Sequence, residues 1–344
     1  MKKIIVTGGA GYIGSHTVVE FQNAGFEVVI IDNLSNSDIT VLDGIEKITG
    51  KRPVFYKADV SEDTDMEKVF KENNDALAIV HFAAFKAVGE SVQKPLMYYK
   101  NNIQGIINIL LQMQKHNIQN LVFSSSCTVY GQAEALPVTE DSPVVKAESP
   151  YGNTKKICEE IITDALSSDN NLKAIILRYF NPIGSHPSAE IGELPIGIPN
   201  NLLPFITQTA IGLREKLSIF GNDYNTPDGT AVRDYINVVD LAKAHVISIQ
   251  RLLNRENKDN YEVFNIGTGK GTSVLEIVKT FEAATNLKLN YQIVGRRSGD
   301  IEQIWADTEK ANKILGWKAT ETLENTIKSA WDWEKRLNQR AEHK

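Results

Sequence analysis

The stretch Thr7-Gly8-Gly9-Ala10-Gly11-Tyr12-Ile13-Gly14 follows the β-branched run Ile4-Ile5-Val6 and precedes Thr17, Val18 and Phe21, which continue from Ile13 at helical spacing up to Gly25. A short all-apolar run reads as a strand buried on both faces. Apolar residues three and four apart read as one face of a helix. The glycines, Gly8 among them, therefore fall on a strand-to-helix turn, the setting in which a Gly-rich stretch acquires chemical meaning. Gly9 and Gly11 let the backbone approach a pyrophosphate, and Gly14 lets the helix lie close on the strand. The helix start then offers free N–H groups and partial positive charge to that anion.

Outward from the turn, Val28-Val29-Ile30-Ile31 reads as a second strand ending in Asp32, eighteen residues after Gly14. A carboxylate there accepts hydrogen bonds from an adenosine ribose and repels a 2′-phosphate, which favours NAD over NADP. The ordinary alternative is a helix-capping Asp. The polar loop Asn33-Leu34-Ser35-Asn36-Ser37 follows, then a third strand, Val54-Phe55-Tyr56, ending near Asp59-Val60. At that edge Asp59 and Val60 reach an adenine; Asp59 or Ser61 serves equally well as a helix N-cap.

A fourth strand runs through His81 to Phe82 and ends in Ala83-Ala84-Phe85-Lys86. Small residues at a strand end suit a passing cofactor, and Lys86 either reaches a ribose or phosphate or is simply solvated. His81 reads as a packed core residue. A helix over Pro95–Lys115 carries Ile103, Ile106, Ile107, Leu110 and Leu111 on a face broader than one side of a sheet needs, which sets part of it against another subunit. Asn101 and Asn102 lie near its start. A fifth strand, Leu121-Val122-Phe123, enters Ser124-Ser125-Ser126-Cys127-Thr128.

This alternation predicts an α/β fold, a Rossmann-type doubly wound parallel sheet. Residues 1–180 form the NAD-binding domain. Residues 181–344 form a smaller, loop-rich α/β substrate domain, with a return segment around 236–267 rejoining the first sheet. Residues 182–204, rich in Gly, Pro and Asn, read as a lid; 272–284 and 322–337 read as helices.

The chain of 344 residues has a net charge of −6 and no basic block, so neither nucleic acid nor an anionic membrane is an expected partner. No apolar run approaches the ~20 residues of a membrane span. The chain enters a strand at once, which leaves no room for a signal peptide. Cys127 and Cys158 belong to no CxxC or Cys/His cluster, so no metal site is expected and a reduced, cytoplasmic protein is.

Tyr151 and Lys155 stand four apart at the start of a further helix. A free phenol, with a pKa near 10, is a poor base at neutral pH. An ammonium about 5 Å away, at an effective dielectric of about 20, favours phenolate by about 3 kcal/mol. The pair can then take a hydroxyl proton while hydride leaves the same carbon, with Ser126 holding the oxygen. An exposed helical Tyr/Lys pair is the ordinary alternative, but a dinucleotide turn upstream argues against it.

The glycine turn, Ser124-Ser125-Ser126, Tyr151…Lys155 and Arg178-Tyr179-Phe180-Asn181 resemble the extended short-chain dehydrogenase/reductases. Lys86-Ala87-Val88-Gly89-Glu90-Ser91, Tyr179-Phe180-Asn181-Pro182, Gly197-Ile198-Pro199-Asn200-Asn201-Leu202, Phe220-Gly221-Asn222-Asp223-Tyr224, Arg233-Asp234-Tyr235 and Arg297…Asp300 narrow the resemblance to that family's UDP-hexose 4-epimerases. It implies an isomerase of galactose metabolism that interconverts UDP-galactose and UDP-glucose. Tightly bound NAD would oxidise C4 and, once the 4-ketose has turned over, reduce its other face.

In that resemblance Tyr151 is the base, Lys155 binds the nicotinamide ribose, and Ser126 holds the sugar oxygen. Tyr12, Ile13, Asp32 to Ser37, Asp59, Val60, Phe82 to Lys86, Asn101 and Phe180 line the NAD site. Lys86, shared with the cofactor, and Asn181, Asn201, Leu202, Ser218, Ile219, Phe220, Arg233, Arg297 and Asp300 fall to the UDP-sugar site. Arg233 and Arg297 suit a bidentate grip on a diphosphate; their ordinary alternative is ion pairing with Asp234 and Asp300. Ile304 falls at a wall position that gates the C2 substituent, where relatives with Tyr favour glucose and galactose and relatives with Cys also admit N-acetyl sugars. A homodimer is implied.

Three rivals remain. Dehydratases of the family need acid and base groups beside the serine, where this chain has Cys127-Thr128 and no carboxylate before Glu134. Decarboxylating relatives need a C6-carboxylate site that no stretch supplies. A non-catalytic NAD sensor would have no use for Tyr151 and Lys155 together.

Overall fold

Strands that carry unbroken apolar runs pair at the centre of the molecule. The computed structural model describes residues 1–145, 147–297 and 300–342. Its first half alternates β1 (Lys3–Thr7), α1 (Tyr12–Asn23), β2 (Glu27–Asp32), α2 (Val41–Thr49), β3 (Val54–Lys57), α3 (Asp63–Glu72), β4 (Ala78–His81), α4 (Val88–Gln93), α5 (Pro95–Lys115), β5 (Asn120–Ser126), α6 (Pro150–Ser168) and β6 (Lys173–Tyr179). The second half holds β7 (Asn181–Ile183), α7 (Leu202–Ala210), β8 (Leu217–Phe220), β9 (Val232–Arg233), β10 (Tyr235–Asn237) and α8 (Val238–Leu253). It continues with β11 (Tyr261–Ile266), β12 (Thr272–Ser273), α9 (Val274–Thr285), β13 (Tyr291–Val294), β14 (Gln303–Ile304) and α10 (Leu323–Glu342).

Seven strands form one sheet in the order β11-β6-β5-β4-β1-β2-β3, every pairing parallel. The order reverses between β1 and β4, so a ligand crevice opens at the carboxyl ends there. Ile4, Ile5 and Val6 are fully buried, as an all-apolar strand covered on both faces must be. Val18 and Phe21 of α1, Ile45 of α2 and Leu241 and Ile249 of α8 cover one face. Met66 of α3, Ile106 and Ile109 of α5 and Ile162 of α6 cover the other. The smaller lobe has its own core from α7, β8, α9 and α10, including Leu203, Ile206, Leu217, Phe281 and Ile327.

Several local expectations change. Residues 272–284 do not start as a helix: Thr272–Ser273 pair antiparallel with β9, and α9 begins only after Ser273. There the Ser273 Oγ accepts from the Glu276 N–H (3.0 Å) and the Glu276 carboxylate accepts from the Ser273 N–H (3.4 Å), a capping box. Neither Asp59 nor Ser61 caps α3, whose N-cap is Glu62. Asp59 instead closes a local turn on Ser61 and accepts from Asn33 Nδ2 at 2.8 Å, tying β3's end to the loop after β2. The apolar face of α5 is mostly used inside the molecule: Ile106 and Leu110 are core, Ile103 and Ile107 half-buried, and Leu111 exposed.

Candidate active site

The glycine turn is shaped by what surrounds it. Gly8 has φ +69°, and a Cβ there would stand 2.7 Å from the Ala83 N, so the end of β4 closes over the turn. A Cβ on Gly14 would lie 2.1 Å from the Gly8 carbonyl oxygen; α1 can begin there only with glycine. The start of α1 has no side-chain cap and no acidic residue in its first turn. Its positive end is thus left to an external anion. Asp32, buried at the end of β2, accepts from Ala10 N (3.0 Å), Leu34 N (2.9 Å) and Ser37 Oγ (2.8 Å). A carboxylate has about four acceptor sites, so this hub braces turn and loop and still has capacity for a ribose hydroxyl. A bare backbone cradle beside a carboxylate fits NAD.

The next carboxyl ends converge on the same crevice. Asn102 of α5 accepts from Phe85 N (2.9 Å), donates to Phe85 O (3.1 Å) and donates to Thr154 Oγ1 (3.0 Å), joining the end of β4 to α6. Asn101 Nδ2 donates to Asn102 Oδ1. His81 is the core residue expected. Its Nδ1 is 2.7 Å from Thr7 Oγ1, and burial, then the Lys155 charge, push its pKa down to about 3.

Ser126 ends β5, its Oγ accepting from the Thr128 N–H at 3.2 Å. Ser149 caps α6 through Gly152 N and Pro150 takes the first turn, a pairing that fixes where the helix begins. Tyr151 is thereby set beside Ser126. Burial pushes its phenol up to about 12, while hydrogen bonding with Ser126 pulls the other way. The expected ammonium effect is absent from this balance. Lys155 Nζ donates to the Ser124 carbonyl at 2.7 Å and lies 4.9 Å from the Phe123 ring centroid. The spacing of four brings the two residues to one helix face, but the lysine's reach ends on β5 and not on the phenol. Burial lowers Lys155 itself to about 8, with Cys158 and Glu159 drawing it back up. Behind them a buried pair locks α6 to the sheet: Arg178 donates twice to Glu159 (3.0 and 2.6 Å), which also accepts from Ser125 Oγ (2.5 Å).

On the facing wall, Arg233 does not pair with Asp234. Its guanidinium donates to the carbonyls of Val232 (2.8 Å), Ile301 (2.6 Å) and Glu302 (3.4 Å). Asp234 is a separate buried hub for Thr268 N, Thr268 Oγ1, Gly269 N and Ala306 N, and its carbonyl accepts from Asn181 N. Arg297 does pair with Asp300, at 3.2 and 2.7 Å, and lies 5.6 Å from the Phe220 ring centroid. Ser218 and Phe220 line β8 beside it, whereas the Ile219 side chain is buried in the lobe's core, leaving its backbone alone for a ligand. Asn201 precedes Leu202 at the start of α7. Ile304 pairs with Arg233 across β14 and β9 and is buried with Cys127 and Phe180.

Two residues that the sequence did not single out stand in this crevice. Thr128 has a buried hydroxyl without a hydrogen-bond partner among the described residues, and its position two after Ser126 was the available signal. Glu193 is bonded to Asn201 and lies beside Lys86; nothing in its loop's sequence marked it.

Fold, glycine turn and the Ser126–Tyr151–Lys155 set define an extended short-chain dehydrogenase/reductase. The chain matches the family described as GDP-mannose 4,6 dehydratase over residues 5–330. It is 51% identical to a UDP-glucose 4-epimerase from Dictyostelium discoideum over 96% of this chain and 95% of that one. It is 50% identical to one from Bacillus subtilis (strain 168), covering 96% of both. It superposes on the crystal structure of the UDP-glucose 4-epimerase from Bifidobacterium longum in complex with NAD+ and UDP with a TM-score of 0.94. That pair is 45% identical over 98% of this chain and 99% of that one. Within the dehydrogenase/reductases, this chain belongs to the UDP-glucose 4-epimerase family.

Proposed function

We propose that this protein interconverts UDP-galactose and UDP-glucose by inverting C4 of the sugar, with NAD as its cofactor. The observation that carries the reading is the Ser126–Tyr151 pair, set at the carboxyl end of β5 beside a bare glycine turn, in a chain half identical to UDP-glucose 4-epimerases. Dehydration lacks its chemistry, since Cys127 and Thr128 stand where acid and base groups would be needed.

NAD, when bound, would supply the acceptor and donor of the C4 hydride, and its positive ring would favour phenolate at a Tyr151 that burial otherwise holds near 12. The Tyr151 oxygen takes the C4 hydroxyl proton and gives one back on the other face. Ser126 holds the reacting oxygen. Lys155, with one N–H committed to Ser124, has two left for ribose hydroxyls. The turn, Asp32 to Ser37, Asp59, Val60, Phe82 to Lys86, Asn101 and Phe180 hold the cofactor. Asn181, Asn201, Leu202, Ser218 to Phe220, Arg233, Arg297 and Asp300 hold the UDP-sugar, anchoring UDP while the 4-ketose turns between them. Mixing the protein with UDP-galactose, without added reductant, yields UDP-glucose on this reading; no conversion rejects it.

Ile304, branched and intermediate in size, sets a preference for UDP-glucose and UDP-galactose with weak N-acetylhexosamine activity. Equal turnover of UDP-GlcNAc and UDP-glucose would refute that preference. The protein is read as a cytoplasmic homodimer. Two buried, unpaired cysteines suit a reducing compartment, and among the described residues no helix is long and apolar enough to cross a membrane. Val92 on α4 and Leu96 and Leu111 on α5 are exposed and offer apolar side chains to a second copy.

A further inference from the structure

Glu193 is a largely buried carboxylate that the chemistry above does not use. It lies midway along the strap between β7 and α7, which is pinned from several sides. Ser185 bridges Gly192 in antiparallel fashion, and Ser185 is fastened to Ser329 of α10 by N–H to Oγ (3.0 Å) and Oγ to carbonyl (2.6 Å). A Cβ on Gly192 would stand 2.5 Å from the Trp333 ring, so the ring packs flush only on glycine. Trp333 Nε1 then donates to the Glu193 carbonyl at 2.8 Å. With its backbone fixed, the Glu193 side chain, 13% exposed, has little freedom.

What its carboxylate meets comes from both halves of the molecule. Oε1 accepts from Asn201 Nδ2 at 2.5 Å, at the start of α7. The same oxygen lies 3.7 Å from Lys86 Nζ, beyond the end of β4. Lys86 is itself delivered by fixed backbone: Asn102 holds both polar groups of Phe85, and the Tyr98 hydroxyl accepts from Ala87 N at 3.1 Å. Burial pushes the Glu193 carboxyl above its usual range, and Lys86 and Asn201 draw it back. A buried charge adds little stability over a well-packed apolar side chain, so stability is a poor reason for its presence. Holding one N–H of the Asn201 amide fixes which way that amide faces and leaves its second N–H to donate elsewhere.

We propose that Glu193 is a positioning residue that sets the Asn201 amide and the Lys86 ammonium side by side as donors to an anionic oxygen of the sugar nucleotide. The inference rests on reading this wall as the UDP-sugar site. Its test compares Glu193→Ala and Glu193→Gln with the unmodified NAD-bound protein. UDP affinity is read by calorimetry, and KM and kcat with UDP-galactose by steady-state kinetics.

Glu193→Ala weakens UDP binding and raises KM about tenfold, with kcat within about threefold. Glu193→Gln, whose amide oxygen still accepts from Asn201, recovers most of the loss; NAD content and melting temperature stay unchanged in both. A Glu193→Ala protein that binds UDP as tightly as the parent overturns the inference, as does a Glu193→Gln protein no better than Glu193→Ala. Asn201→Ala approaches the same contact from its other end, and the double Ala variant is expected to be no worse than the worse single one; additive losses overturn the inference as well. A parent protein that binds no UDP would instead sink the site reading itself.

Discussion

The two walls of the crevice differ in how their polar groups are occupied. On the wall proposed for the cofactor, Asp32 already holds three donors and sits buried, and Asn102 locks the neighbouring loop through two bonds to Phe85 and ties it to α6 through a third to Thr154. On the wall proposed for the sugar nucleotide, Arg297 is 58% exposed and spends its guanidinium on Asp300 three residues away, over a half-exposed Phe220. Hydrogen bonds to a charged acceptor contribute about 1.5–3 kcal/mol each, whereas an exposed ion pair contributes about 0–1 kcal/mol. Exchanging Asp300 for a phosphate is therefore cheap, and loosening the Asp32 hub is not. On the proposed function, one wall is suited to keeping its ligand and the other to letting its ligand go. A reaction that ends with its coenzyme unchanged needs both.

The largest expected effect lies between the walls. Tyr151→Phe lowers kcat by about 10²–10⁴-fold and leaves NAD content as it was; near-normal turnover would remove Tyr151 from its role. Asp32→Ala strikes the retaining wall: three donors lose their acceptor, and the protein purifies with little NAD. Full NAD content in that variant, measured by absorbance after denaturation, would erase the contrast. Arg297→Ala strikes the exchanging wall and raises KM for UDP-glucose about tenfold with NAD content unchanged; loss of NAD there would mean the walls are not independent.

The smallest effect is on stability. Burial pushes His16 and His81 down to about 3 and His245 to about 4, so all three stay neutral in the fold. All three pack in the layers of the parallel sheet. Unfolded imidazoles titrate near 6.5, so between about pH 6.5 and about pH 4 the unfolded chain takes up protons that the native one refuses. Stability contributed by these sites is complete above that window and is lost as pH falls through it. Thermal melting from pH 7.5 to 4.5 should show a falling midpoint; a flat profile would contradict the buried, neutral assignment.

What the sequence made legible was mostly local. Ile4 to Val6, the glycines and Asp32 announce strand, turn and carboxylate within thirty residues because strand burial and backbone approach are read from consecutive side chains. Tyr151 and Ser126 were read the same way, and they stand hydrogen-bonded to one another. Less legible were contacts whose partner lies far along the chain. Lys155 shares a helix face with Tyr151, but its ammonium is claimed by the Ser124 carbonyl of another element. Arg233 sits next to Asp234, yet the two face different residues, Ile301 and Glu302 for the guanidinium and Thr268, Gly269 and Ala306 for the carboxylate. Glu193 was invisible because its burial depends on Trp333, 140 positions away, and no pattern inside a Gly- and Pro-rich loop foretells such a partner.

Only Phe180 separates β6 of the large sheet from β7 of the smaller lobe, and α8 with β11 brings the chain back to that sheet before it leaves again. The halves are thus stitched by several passes of one thread, not joined by a single hinge. A protease nick or a gene cut between 180 and 181 would not release a transplantable cassette, because the edge strand of the large sheet would leave with the other fragment. The smaller lobe is open to change by substitution in place, not by exchange as a unit.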